Sequence, residues 1–214
     1  MKNYQLYLFD FDYTLADSSA GIVKCFQTTL EKSGLPAVEK DTICRTVGLP
    51  MREAVMRITQ NRDEAACDAF IAAYKKEADR YMTPMTHFYP QTIPLLTELK
   101  ARGAKVGIIS SKTRSRIAEK FVQDGYAHLI DHIIGSDDVK TLKPSPEGIL
   151  AALQHFGLEH DKILYTGDNL VDAQAAQNAK VDFAAVTTGT TPAADFAAYP
   201  HIAILFDIGQ LINL

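Results

Sequence analysis

The chain has few cysteines, no long apolar run and no excess of basic residues, and each shortage removes a class of protein. Of 214 residues only three are cysteine: Cys25, Cys44 and Cys67. The number is odd and the spacings fit no zinc pattern, which argues against a disulfide framework. They read as reduced, small, buried residues of a cytoplasmic protein. No apolar run approaches the roughly 18 residues of a membrane helix. The N-terminal stretch MKNYQLYLFDFDYTLADSS is broken by Asp10 and Asp12, so it lacks the continuous apolar region of a signal peptide. No membrane partner is expected. Lys plus Arg number 22 against 26 Asp plus Glu, a net charge of −4. Without the basic footprint that phosphate-backbone binding needs, nucleic acid is not an expected partner either. Six histidines occur, and none forms the HExxH zinc pattern.

What remains is ordinary for a globular chain: 47% hydrophobic and 22% charged residues. The length suits one core with a smaller insert, and a core of this size needs no disulfide or structural metal. Short apolar runs at Tyr4–Phe9, Lys105–Ser110, His132–Ile134, Lys162–Thr166, Phe183–Thr187 and Ile202–Phe206 read as buried parallel strands. Helical patterns at Thr92–Arg102, Ser115–Asp124, Pro146–Phe156 and Leu170–Ala179 alternate with them. That alternation predicts an α/β fold with a doubly wound, mainly parallel, Rossmann-like sheet.

One stretch interrupts the alternation. About seventy residues after the first strand carry no convincing strand pattern. Asp17–Ser33, Lys40–Thr46, Met51–Thr59 and Asp63–Tyr81 read as helices, with Ser18 and Ser19 as caps of the first. The expectation is a core of residues 1–15 and 87–214, with a helical cap of residues 16–86 inserted after the first strand. Ligands of open α/β sheets bind outside the carboxyl ends of the strands. The insert leaves the core beside that rim and is placed to act as a lid.

The strand ends carry the chemistry. The first ends Asp10-Phe11-Asp12-Tyr13-Thr14-Leu15, which puts two carboxylates at the rim. The second ends Ile109-Ser110-Ser111-Lys112, with a hydroxyl able to donate to an anion. Lys143-Pro144-Ser145-Pro146-Glu147 holds a lysine in a stiffened loop, and Pro146 suits a helix start. Gly167-Asp168-Asn169-Leu170-Val171-Asp172 ends a strand in an acid, with a second acid four residues on. If the helix begins at Asn169, Asp168 is its cap. Each piece has an ordinary alternative: a polar turn, a helix cap, a solvated lysine, a capping aspartate. Together they put two pairs of acids, a hydroxyl and a lysine at four candidate strand ends. Clustered carboxylates repel unless something positive lies among them. Oxygen donors without His or Cys favour Mg²⁺, which uses one or two carboxylates and leaves places for water and phosphate.

In the order and spacing of these four motifs, the chain resembles the haloacid dehalogenase (HAD) superfamily. The insert resembles the helical cap of its phosphoglycolate phosphatase-like branch. The resemblance implies a magnesium-dependent phosphatase of a small phosphorylated metabolite. Asp10 would attack phosphorus, and Asp12 would protonate the leaving oxygen and then activate water. Mg²⁺ would be held by Asp10, Asp168 and the backbone carbonyl of Asp12, with Asp172 binding it directly or through water. Ser110 and Lys143 would bind the phosphoryl group. Ser111 is a candidate substrate contact at a place where the family often has Asn. Tyr13 departs further, because the family usually has Gly there. Arg52, in a Gly48-Leu49-Pro50-Met51-Arg52-Glu53 segment like the branch's substrate-facing loop, is a second candidate substrate contact, with a solvated helix-start arginine as the alternative. His87 lies near the expected cap–core junction.

Other activities fit less well. Phosphosugar mutases of β-phosphoglucomutase type carry a cap histidine soon after the first motif, and Asp17–Thr28 has none. A phosphonate hydrolase would want a lysine that Thr46–Ile58 lacks. A true dehalogenase usually lacks the second acid, which Asp12 supplies. Pyrophosphatase activity uses the same machinery. A non-catalytic binding protein would be expected to lose a reacting carboxylate, and none is lost.

Overall fold

The computed structural model describes residues 4–213. Strand β1 (Leu6–Phe9) and a two-residue β2 (Ala16–Asp17) precede helices α1 (Ser19–Lys32), α2 (Lys40–Cys44), α3 (Met51–Thr59) and α4 (Glu64–Tyr81). A second two-residue strand, β3 (His87–Phe88), pairs with β2. There follow α5 (Thr92–Ala101), β4 (Lys105–Ile109), α6 (Arg114–Gln123), β5 (His132–Ile134), α7 (Glu147–Phe156), β6 (Ile163–Gly167), α8 (Leu170–Ala179), β7 (Asp182–Val186) and β8 (Ala203–Leu205). The strand order is β5–β4–β1–β6–β7–β8, with parallel pairing throughout. The chain winds outward from β1 in one direction through β4 and β5. It then returns to the other side of β1 for β6, β7 and β8. The carboxyl end of β1 is thus the switch point where such sheets leave a crevice.

Alternation along each strand sorts the apolar residues into two layers. Phe9, Val106, Ile108, Leu164, Ala184 and Val186 face α5 and α6, meeting Leu96, Leu99, Ile117 and Phe121. Leu6, Leu8, Ile109, Tyr165, Phe183 and Ala185 face α7 and α8, meeting Ile149, Leu153, Ala173 and Ala176. Burying each large side chain stabilises the fold by about 1.5–3 kcal/mol. Both faces are covered, which is why the strands read as continuous apolar runs.

By its internal contacts the chain divides into two units, residues 1–16 with 88–214, and Asp17–His87. The second unit contains α1 to α4. Its interior is aromatic and aliphatic: the Phe26 ring lies 4.7 Å from Tyr74 and 6.1 Å from Phe70, beside buried Leu30, Ile43, Val55 and Cys67. Helix α4 starts at Asp63, whose carboxylate accepts from the Ala66 N–H at 2.7 Å. At the start of α1 the expected serine cap is replaced. Ser18 occupies the cap position but makes no capping bond with its side chain, and the Ser19 N–H donates to the Asp17 carboxylate at 2.8 Å. All three cysteines are buried thiols outside any disulfide. Among the described residues no helix is long and apolar enough to cross a membrane.

Candidate active site

The carboxyl edge of the sheet gathers its acids through strand register. Phe9 is level with Ile108 of β4 and with Thr166 of β6. Asp10 therefore leaves β1 level with Ile109 and Gly167, the last residues of its two neighbours, with Ser110 and Asp168 following next. One oxygen each from Asp10, Asp168 and Asp172 lie within 4.8 Å of one another. All three residues are buried, at 3%, 4% and 0% exposure.

Lys143 enters this group from the β5–α7 loop. Its ammonium lies 2.9 Å from Asp10 Oδ2 and 2.6 Å from Asp172 Oδ1. The Ile109 carbonyl and Tyr165 Oη stand 3.4 and 3.3 Å away. Helix α8 begins at Leu170, where the helical pattern placed it, and not at the alternative Asn169, which is its cap. Asp168 is therefore not a capping residue. Instead Asp172 closes a capping box, accepting from the Asn169 N–H at 3.0 Å. That leaves Asp168 to point into the cluster, where the Thr14 hydroxyl donates to it at 3.0 Å.

One lysine among three carboxylates leaves an excess of negative charge. Burial, opposed by Lys143 and reinforced by Asp172, pushes the Asp10 carboxyl up to about 6. Burial beside Asp172 and Asp10 raises Asp168 well above the usual carboxylate range. Burial alone would lower the Lys143 ammonium, yet the Asp10 and Asp172 charges raise it, so it stays protonated. An oxygen-only donor set short of positive charge fits a hard divalent cation. Glycines keep the space beside the acids clear. A Cβ on Gly189 would meet Asp168 Oδ2 at 1.9 Å, and one on Gly167 would meet Asp172 Oδ2 at 2.5 Å.

Asp12 lies apart from the three-acid group. Both its oxygens are held by Lys112 Nζ, at 2.7 and 2.9 Å. Ser110 follows β4 directly and is 5% exposed. Its N–H donates to the Ile134 carbonyl at 3.0 Å, and its hydroxyl accepts from the Lys112 N–H at 3.3 Å. Ser111 is half-buried in the same turn. Arg52 belongs to the second unit, where it is exposed on α3 and paired with Asp68 at 2.5 Å. His87 is exposed on β3.

Lys112, Thr14 and Tyr165 are polar members of this region that their sequence pattern did not single out. Tyr165 read as a core strand residue, and its ring is one. Its hydroxyl, however, reaches Asp172 Oδ1 at 2.9 Å. The available signal for Lys112 was its place three residues past one strand, opposite an acid three residues past the next. Tyr13 adopts the left-handed conformation, with φ of 61°.

A family model for haloacid dehalogenase-like hydrolases matches residues 7–186. A pyrophosphatase, PpaX of Bacillus velezensis, is 27% identical over 97% of this chain and 94% of its own. A phosphoglycolate phosphatase of Nitrosococcus oceani is 25% identical over 100% of this chain and 97% of its own. A crystal structure assigned to the haloacid dehalogenase-like hydrolases, from Bacteroides fragilis, is 44% identical, with a TM-score of 0.94 over 98% of this chain and 100% of that one. The chain belongs to the haloacid dehalogenase-like hydrolase family.

Proposed function

We propose that this protein is a magnesium-dependent phosphatase that hydrolyses a small phosphorylated metabolite through an aspartyl-phosphate on Asp10. The observation that carries the reading is the placement of Asp10. It is a buried carboxylate at the switch point of the sheet, with Lys143 on one oxygen and the Phe11 N–H donating to the other at 2.7 Å.

In the first half-reaction an Asp10 oxygen bonds to phosphorus as the bond to the leaving oxygen breaks. Asp12 gives its proton to that leaving oxygen, which departs as an alcohol. In the second, water attacks phosphorus and passes a proton to the Asp12 carboxylate. The bond between phosphorus and Asp10 breaks, releasing phosphate and restoring the carboxylate. Lys143 offsets charge on the phosphoryl oxygens and keeps Asp10 ionised. Ser110 and Ser111 donate to phosphoryl oxygens. Residues 1–15 and 87–214 form the catalytic core, and residues 16–86 the cap.

Asp10, Asp168, Asp172 and the Asp12 carbonyl are the groups that would hold Mg²⁺. When bound, it supplies positive charge against which an anionic nucleophile can approach a phosphate dianion. Arg52 is the cap's candidate substrate contact, and a substrate carboxylate or phosphate would compete with Asp68 for its guanidinium. A pyrophosphatase is the second reading, favoured by the similarity to PpaX. In that case the leaving group is phosphate instead of an alcohol.

The test is phosphate release from a panel of phosphorylated metabolites, pyrophosphate and an aryl phosphate, with Mg²⁺ and with chelator. Metal-dependent release is expected, and the preferred substrate decides between the two readings. Release that persists unchanged in pure Asp10→Asn protein would sink the nucleophile assignment.

A further inference from the structure

The ion pair between Lys112 and Asp12 joins two residues a hundred positions apart. It is partly sealed from water, with the side chains 9% and 11% exposed. It is bidentate, one ammonium against both oxygens at 2.7 and 2.9 Å. The lysine is itself anchored. Its N–H donates to Ser110 Oγ, and its carbonyl accepts from the Ser136 N–H at 3.1 Å. The ammonium also lies 5.7 Å from the centre of the buried Phe11 ring, within cation–π range. Root and tip of the lysine are thus both fixed.

An aspartate at a turn ordinarily samples several staggered rotamers. The proposed reaction needs Asp12 in one place twice, first to protonate a leaving oxygen and then to deprotonate water. We propose that Lys112 is a positioning residue that holds the Asp12 carboxyl group in a single rotamer for both proton transfers, keeping one oxygen while the other carries the proton. The inference rests on the phosphatase reading of Asp12. A displacement of about 1 Å in such a group lowers the rate by about 100-fold, which sets the expected effect.

The experiment compares wild type, D12N, K112M, K112Q and K112R in Mg²⁺, on β-glycerol phosphate and on p-nitrophenyl phosphate. The alkyl ester has a leaving group that must be protonated, while nitrophenolate leaves without a proton. On the alkyl ester, K112M and K112Q should lose about 100-fold in kcat with KM changed by no more than about threefold. On the aryl ester their first turnover should stay fast while hydrolysis of the aspartyl-phosphate slows. A burst of nitrophenolate equal to the enzyme present is the expected signature. K112R, which still binds a carboxylate bidentately, should recover most of kcat. K112M added to D12N should lower the rate no further.

Several results would overturn the proposal. One is wild-type kcat in K112M. Another is a loss confined to KM, which would make Lys112 a substrate-binding cation. A third is failure of both K112M and K112Q to fold, judged by circular dichroism, which would make the lysine structural. If K112M fails these tests while wild type and D12N behave as proposed, the phosphatase reading stands without Lys112. If wild type releases no phosphate from any substrate of the panel, the phosphatase reading falls and takes this role with it.

Discussion

Two lysines meet carboxylates at the carboxyl edge of the sheet, and they leave different charge behind. On the β4 side of β1, Lys112 meets Asp12, one cation against one acid. On the β6 side, Lys143 faces Asp10 and Asp172 directly, with Asp168 close by, so one cation stands among three buried acids. A one-to-one pair balances its own charge. An anionic cluster in low dielectric stays ionised only with additional positive charge. The same two residue types therefore make an anchor in one place and a cation-seeking site in the other.

The sharpest way to break this contrast is to remove the reacting oxygen. Asp10→Asn should lower phosphate release by about 10⁴–10⁶-fold, the scale seen when an enzyme loses its nucleophile. The same change removes one of the competing acids, so the chelated variant should melt at or above the wild-type temperature at neutral pH. A variant that is both inactive and strongly destabilised would show that Asp10 holds the fold together.

Lys143→Met attacks the other half of the cluster. It strips the lysine from among buried carboxylates, a change that costs about 3–5 kcal/mol when a buried ion pair loses one partner. Denaturant unfolding measures it. Adding Asp172→Asn should return part of the loss, because the two positions share one interaction. Strict additivity of the two changes would mean that the pair contributes nothing.

The cluster's excess charge also predicts how stability moves with pH. A carboxyl that binds its proton more tightly in the folded state favours folding fully below its unfolded value. That contribution is lost as pH rises through the folded value. For Asp10 the window runs from 3.8 to about 6, and Asp168, raised in the same direction, extends it upward. In chelator, stability should fall on the order of 2 kcal/mol as pH rises from 4 to 7. Mg²⁺ at neutral pH should restore it, by binding the folded state alone. Melting curves at acid and neutral pH, with and without Mg²⁺, read both effects. Equal melting across the four conditions would contradict the charge imbalance.

The two sides also differed in how visible they were beforehand. The β6-side acids stand at the ends of apolar runs, where any parallel sheet exposes its chemistry, so Asp10 and Asp168 could be picked from pattern alone. Most strands and helices were visible for the same reason, long apolar stretches bounded by Gly, Pro and Asp. The paired strands β2 and β3 were not, because two residues carry no periodicity. The start of α8 was open between Leu170 and Asn169. Asn169 and Asp168 are both good caps, and the choice is made by the Asp172 carboxylate closing back on the Asn169 N–H. Lys112 was invisible as a partner of Asp12. Its meaning depends on β1 and β4 being neighbours, which sequence order does not state. Arg52, a motif-like position on α3, pairs with Asp68 on the surface of the second unit, a partner that sequence order does not state either.

The smallest effect concerns the turn that joins the two sides. Tyr13 lies between Asp12, held by Lys112, and Thr14, whose hydroxyl donates to Asp168. Its φ of 61° is left-handed, where a Cβ costs about 1–2 kcal/mol. The turn is tied by its N–H donating to the Ala16 carbonyl at 2.7 Å and by the Thr188 hydroxyl donating to its carbonyl. Tyr13 as a whole is 7% exposed, and burial of its side chain offsets part of the strain. Two substitutions separate these terms. Tyr13→Ala removes the ring and keeps the Cβ, while Tyr13→Gly removes both. At an ordinary site glycine is the less stable of the pair, because it gives up more chain entropy on folding. Here the order should invert, with Gly more stable than Ala by about 0.5–1 kcal/mol in denaturant midpoints. If Ala equals or exceeds Gly, the turn is unstrained. Asp12 and Thr14 would then owe their separate partners to Lys112 and Asp168 alone, with no contribution from a backbone forced into shape between them.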